Sequence, residues 1–174
     1  PGDELLVWGR SAAKLARLSF QDGRSLAEFG LRGRLERAFP TRDGWLLDVF
    51  RDDSRVLLEC HREAPFLRPR SLPEDFSPSH LVAVSEDARA LVLRRGGVMV
   101  LALGDDSSPL GPAPETTAQA VFSADGGRVA VRLRAGLEIH ELPKDGGTRP
   151  RLVRRLPAGE TLSSFALDTT GATV

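Results

Sequence analysis

The chain has 174 residues, with 24 basic and 24 acidic side chains and a formal net charge of zero. That length fits one domain or one repeat array, and the balanced charge removes the compositional argument for nucleic acid or an anionic membrane as a partner. No stretch approaches the roughly 18 apolar residues that span a bilayer. The opening residues lack the charged-then-apolar pattern of a signal peptide, and the single cysteine, Cys60, has no internal disulfide partner; together these lead us to expect a cytoplasmic chain.

Arginine supplies 22 of the 24 basic residues, and Tyr and Asn are absent, a usage that fits a GC-rich coding source. The first residue is Pro1 rather than Met, which implies a processed or cut end.

In chain order, short alternating runs bounded by turn residues read as strands. Glu4–Trp8, Leu15–Phe20 and Ser25–Phe29 come first. Ser11–Leu18 competes there as a two-turn helix with Ser11 as its cap. Leu35–Phe39, Trp45–Phe50, Val56–His61 and the proline-containing Phe66–Leu72 follow, then His80–Ser85, Ala90–Arg94 and Val98–Leu103. Where a fourth strand is due, Pro109 to Pro114 predicts a short or absent one, because proline cannot donate to a ladder. Gln119–Ser123, Arg128–Arg134, Leu137–Leu142 and Arg151–Leu156 make the next set, and Leu162–Leu167 and Ala172–Val174 end the chain.

Two interleaved series of turns share one period. Asp43, Asp87, Asp125 and Thr170 are spaced by 44, 38 and 45 residues; Asp22, Glu63, Asp105 and Asp145 are spaced by 41, 42 and 40. Asp-Gly and Gly-Gly at these places supply the positive φ of tight hairpins. Four antiparallel strands in about 40 residues is the length of one propeller blade. Val121-Phe122-Ser123-Ala124-Asp125-Gly126-Gly127-Arg128-Val129-Ala130-Val131, followed by Gly136–Leu142, resembles the inner-strand, turn and second-strand run of the WD-repeat β-propellers. His140-Glu141 stands where that family closes its third strand with Trp-Asp, and the family's Gly-His pair is missing, with Ala158-Gly159 its nearest trace.

The expected fold is all-β: propeller blades of four antiparallel strands, about four blades' worth, as part of a larger propeller; the alternative is a four-bladed ring closed by Leu162–Leu167 joining the opening strands Glu4–Phe29. We expect one partial propeller over 1–174, with blade units near 1–31, 32–78, 79–116, 117–158 and 159–174. The first unit reads as a blade lacking its first strand. An open array of this kind exposes apolar blade faces, so its expected partner is more of the same propeller, on this protein or another chain.

No catalytic, cofactor or metal constellation is evident in the sequence. His61, His80 and His140 lack ligand spacing. Cys60-His61 is adjacent and points to opposite strand faces. Ser85, Glu86 and Asp87 share a turn, and Asp52-Asp53 and Asp105-Asp106 read as solvated turn acids rather than a calcium cage. Arg95-Gly96-Gly97 and Asp145-Gly146-Gly147 do not fit a phosphate loop. Trp8 and Trp45 are expected to pack between blades. Arg32, Arg34, Arg37 and Arg42 form one arginine group. Arg149, Arg151, Arg154 and Arg155 form the densest one and are the candidate interaction surface. Against that stands edge protection of an outer strand by charge.

These features predict a non-catalytic protein-interaction or regulatory propeller. The family resemblance adds an attached signalling or effector domain in a larger bacterial multidomain protein. The alternatives are a ligand-binding or enzymatic propeller with a central-channel site, and nucleic-acid binding through the arginines. The mostly apolar inner strands oppose the first, and the absence of interleaved aromatics opposes the second.

Overall fold

The structure is a computed structural model that describes residues 3–9, 14–64, 66–72, 76–103, 106–115, 117–143, 149–157, 165 and 167. The chain divides into two compact units, Pro1–Leu72 with Ser77–Ser79, and Pro73–Phe76 with His80–Val174.

In the first unit, β1 (Glu4–Trp8), β2 (Lys14–Ser19) and β3 (Ser25–Gly30) form a three-stranded antiparallel sheet. Next come β4 (Arg34–Thr41), β5 (Gly44–Arg51), β6 (Ser54–His61) and β7 (Leu67–Arg70), a four-stranded sheet in chain order. The helix considered at Ser11–Leu18 gives way to a strand from Lys14 onward; residues 11–13 lie outside the described residues. β2 has ladder partners on both edges and buries Leu15 and Arg17 on one face, which outweighs the helix propensity of a two-turn segment.

Leu15, Phe29, Leu31, Trp45, Leu47, Val49, Leu58 and Cys60 come from both sheets and form one buried cluster, so the two sheets pack face to face. Each such side chain contributes about 1.5–3 kcal/mol on burial. Leu46 and Asp48 are buried on the other face of β5. The β5–β6 hairpin turns on Asp52 and Asp53 with φ of 49° and 57°, the left-handed pair that a two-residue turn needs.

The second unit holds two four-stranded sheets, again in chain order. The first is β8 (Leu81–Val84), β9 (Ala90–Arg95), β10 (Val98–Leu103) and β11 (Asp106–Pro112); the second is β12 (Ala120–Phe122), β13 (Arg128–Leu133), β14 (Gly136–Glu141) and β15 (Arg151–Pro157). Val92, Met99, Leu101, Val129, Val131 and Leu133 join in one core between them. On the far side of the second sheet, Phe165 and Leu167 cover Ala130, Leu137 and Ile139. The rest of Leu162–Leu167, all of Ala172–Val174, and the turns Gly104-Asp105, Asp145-Gly146-Gly147 and Thr170-Gly171 lie outside the described residues.

β11 corrects the expectation at Pro109–Pro114. It is a seven-residue strand, with Pro109 opposite Val100 and Pro112 opposite Val98. It is tolerated because β11 is bonded on one edge only, where proline removes little of the ladder.

Two hairpin turns repeat the same side-chain network. The Ser123 hydroxyl donates to Asp125 Oδ1 at 2.6 Å and accepts the Arg128 N–H at 2.9 Å, while Asp125 also accepts the Gly127 N–H at 2.9 Å. Ser85 and Asp87 do the same with Ala90 and Arg89, at 2.7, 2.9 and 3.1 Å. The turn reading of Ser85, Glu86 and Asp87 is thereby given a mechanism, a buried hydroxyl satisfied from both sides.

A bulge recurs on the outermost strands. The register shifts leave one extra residue on β3, β11 and β15, namely Leu26, Leu110 and Val153. The first strands β4 and β8 carry one too, at Glu36 and Val82. The second strands β5, β9 and β13 of the four-stranded sheets are mostly buried. β1 is not: Leu5, Val7 and Trp8 are 44%, 46% and 43% exposed. Trp8 therefore does not pack as expected, whereas Trp45 does; β1 has only β2 beside it among the described strands.

Candidate functional site

The side chains of β14 decide the chemistry of the second unit. Residues two apart share a strand face, so Glu138 and His140 stand together, with Glu138 opposite Arg155 and His140 opposite Leu152 on β15. Both acid and imidazole are buried, and His140 Nε2 lies 3.0 Å from Glu138 Oε2. Arg155 Nε donates to Glu138 Oε1 at 2.8 Å. Burial pushes the His140 ring below its ordinary pKa, and Arg155 adds to this, while Glu138 opposes it. The imidazole is therefore neutral near pH 7.

His140 lines a groove of about 550 Å³ bounded by β11 and the approach to β15, with Asp106, Ser107, Ser108, Arg149 and Leu152 among its walls. A volume in this range suits a bound molecule or segment.

The four arginines anticipated as an interaction surface divide into two kinds. Arg151 is paired with Glu141 through Nε at 3.1 Å, and Arg155 with Glu138. Arg149 opens on the groove, and Arg154 is exposed on β15. β15 is an outer strand whose residues are nearly all exposed, so edge protection also describes it.

Sequence reasoning missed Glu138 and His140 as a pair. A signal existed: Glu-x-His occurs twice on third strands. In β6, His61 Nε2 lies 3.2 Å from Glu59 Oε2, and Arg70 donates to Glu59 Oε1 at 2.7 Å. There the histidine side chain is 38% exposed, against 8% for His140. The repeated trio is first a tie between third and fourth strands; only in the second unit does it face a groove.

Of the arginine group near the start of β4, Arg37 serves the interior, while Arg32, Arg34 and Arg42 are exposed. Asp48 on β5 is fully buried and accepts from Arg37 Nε and Nη2 at 3.0 and 2.9 Å, and from Arg55 Nε at 3.0 Å and its Nη2. Arg34 pairs with Glu36. Arg17, also buried, bonds Glu4 and the carbonyls of His61 and Arg62. Cys60 is buried as expected, and burial pushes its thiol up to about 11. Among the described residues no group of three or more His, Cys, Asp or Glu could hold a metal ion, and no helix is long and apolar enough to cross a membrane.

No protein-family model and no curated protein matches the sequence. Solved structures do resemble it in fold. Hsv2 of Kluyvelomyces marxianus shares 12% identity over 97% of this chain and 54% of its own, with a TM-score of 0.59. The β-propeller domain of Cps50 (Swd1) of Myceliophteria thermophila shares 14% over 87% and 54%, at 0.54. The periplasmic gluconolactonase PpgL of Pseudomonas aeruginosa shares 14% over 94% and 56%, at 0.51.

The last of these corrects the expectation of a non-enzyme. A fold shared with a gluconolactonase, and a lack of familiar hydrolase motifs, give no ground for excluding catalysis. At these identities the likeness concerns fold alone. The chain spans 54% of the length of the first two structures, and its fold is all-β and β-propeller-like.

Proposed function

We propose that this chain is a protein-interaction segment of a β-propeller, with the arginine-bearing outer strand β15 and the adjoining groove as its contact surface. The observation that supports this most is the state of β15. Nearly every residue is exposed, Leu152 and Val153 are each 44% exposed, and of the four arginines at or beside the strand two are paired with Glu138 and Glu141 while Arg149 and Arg154 stay open. An exposed apolar strip rimmed by guanidinium groups suits an acidic protein surface. The propeller neighbours Cps50 and Hsv2 give the reading its fold-level background.

The same proposal includes completion by further propeller sheet. Its support is β1, whose apolar run Leu5-Leu6-Val7-Trp8 has the composition of a buried second strand but lies open. A regulatory role in a larger bacterial, cytoplasmic protein belongs to the proposal as well.

The test is site-specific photo-crosslinking from the position of Arg154, replaced by benzoylphenylalanine, in extract of the source cells, with the position of Arg68 on β7 as comparison. A discrete protein adduct from 154 and none from 68 is the expected result. Adducts to nucleic acid alone, or none at either position, would overturn the proposal.

A further inference from the structure

Three groups around the groove are left unused by the fold. A carboxylate only accepts hydrogen bonds, so the 3.0 Å contact between Glu138 Oε2 and His140 Nε2 places the ring hydrogen on Nε2. Nδ1 then carries the lone pair. It has no partner among the described residues, and the ring lines the groove. The Arg149 guanidinium and the Asp106 carboxylate, on opposite walls, are likewise without partners among the described residues. An imidazole acceptor at the groove, an open cation and an open anion ask for a ligand that brings a hydrogen-bond donor and charges of its own.

The shape narrows the choice. One wall is five consecutive residues of β11, Asp106 to Leu110, which run for about 13 Å at the rise of a strand. Leu110 and Leu152 add apolar surface beside the polar groups. An extended polypeptide spans that length, offers backbone N–H donors along it, and can present a carboxylate to Arg149. Phosphate backbones fit less well: they carry a charge at every repeat and so cannot keep one away from Asp106, whereas a peptide can place its acid at Arg149 alone, and the groove lining holds no Phe or Trp on which a base could stack.

We propose that the β11–β15 groove binds an extended peptide segment bearing an acidic side chain, with Arg149 taking its carboxylate and His140 Nδ1 accepting one of its N–H or O–H groups. This names the partner chemistry of the interaction role proposed above and rests on it. The neighbouring charges allow it: Arg155 is held by Glu138 and Arg151 by Glu141, so neither competes for the ligand's acid or for Nδ1.

The experiment uses the whole chain and fluorescein-labelled Gly-Ser-Glu-Ser-Glu-Ser-Gly, read by fluorescence anisotropy at pH 7.5. The lysine version of the peptide and an oligothymidylate are the comparisons. The acidic peptide is expected to bind, about tenfold more weakly to Arg149→Gln. Leu152→Asp, at the exposed rim, is expected to weaken it similarly, and Lys14→Gln, an exposed cation of the first unit, to leave it within twofold. A nitrogen-15 spectrum should show the His140 Nδ1 resonance moving on saturation. Equal binding of the lysine peptide, preference for the oligonucleotide, an unaltered Arg149→Gln affinity, or an unmoved His140 signal each overturns the assignment. If the peptide fails while the adduct at position 154 persists, only the groove is wrong; if the adduct fails while the peptide binds as described, the wider role falls and the groove stands.

Discussion

Asp48→Asn tests how the first unit holds a charge in its interior. Asp48 is fully buried and accepts four guanidinium bonds, two from Arg37 and two from Arg55. Asparagine preserves the volume but keeps one acceptor oxygen and turns an amide toward two cations. Oδ2 accepts three of the four bonds and Oδ1 one, so the better amide orientation loses one charge-assisted bond, at about 1.5–3 kcal/mol, and leaves the other three on a neutral acceptor, at about 0.5–1 kcal/mol each. The arginine side chains are 36% and 28% exposed, so water recovers about half of that. The expected loss is about 1.5–3 kcal/mol. With a urea m-value of about 1–1.5 kcal/mol per molar for a unit of this size, the midpoint should fall by about 2 M. Trp45 on the same strand is 8% exposed, so its fluorescence reports this unit directly. Added salt should restore little, because a buried pair is weakly screened. A midpoint change under about 0.5 M would show that Asp48 is dispensable and would refute the reasoning.

Three further outcomes follow from the same geometry. Gly44→Ala should cost at least about 2 kcal/mol in the same assay, since φ is 147° and a Cβ would lie 1.9 Å from the Cys60 carbonyl oxygen; unchanged stability would refute that close approach. His140 has a folded pKa below its ordinary 6.5, chiefly through burial. The unfolded chain therefore binds a proton that the folded one refuses, and stability should decline as pH falls from about 7 through 6.5 toward the folded pKa, by at most about 1.4 kcal/mol per pH unit. That slope should vanish in His140→Gln, as measured by urea unfolding at several pH values. The Cys60 thiol, buried and pushed up to about 11, should resist alkylation at pH 8 and react only as urea unfolds the chain, followed by mass spectrometry.

The strand order was legible because period-2 alternation and positive-φ turn residues are local signals. Val129, Val131 and Leu133 entered the core as their spacing implied, and Asp52-Asp53 made the turn that their type allows. Strand existence at β11 was not legible, because the cost of Pro109 depends on which edge its missing N–H faces, and only pairing decides that. Trp8 failed for the same kind of reason: its run has the composition of a buried strand, but burial requires a neighbour.

The candidate site divides along the same line. The arginines around β15 are adjacent in sequence and could be found there. Which of them is bound by a carboxylate was decided by register, which sets Glu138 opposite Arg155 and Glu141 opposite Arg151 and leaves Arg149 at the groove. His140 gained its role from burial beneath β15 and from facing β11, two strands that approach only when the sheets pack. Local propensity and periodicity act over a few residues and so are written in the chain. Burial, register and the state of a titrating group arise from contacts between distant segments, and only the folded chain supplies them.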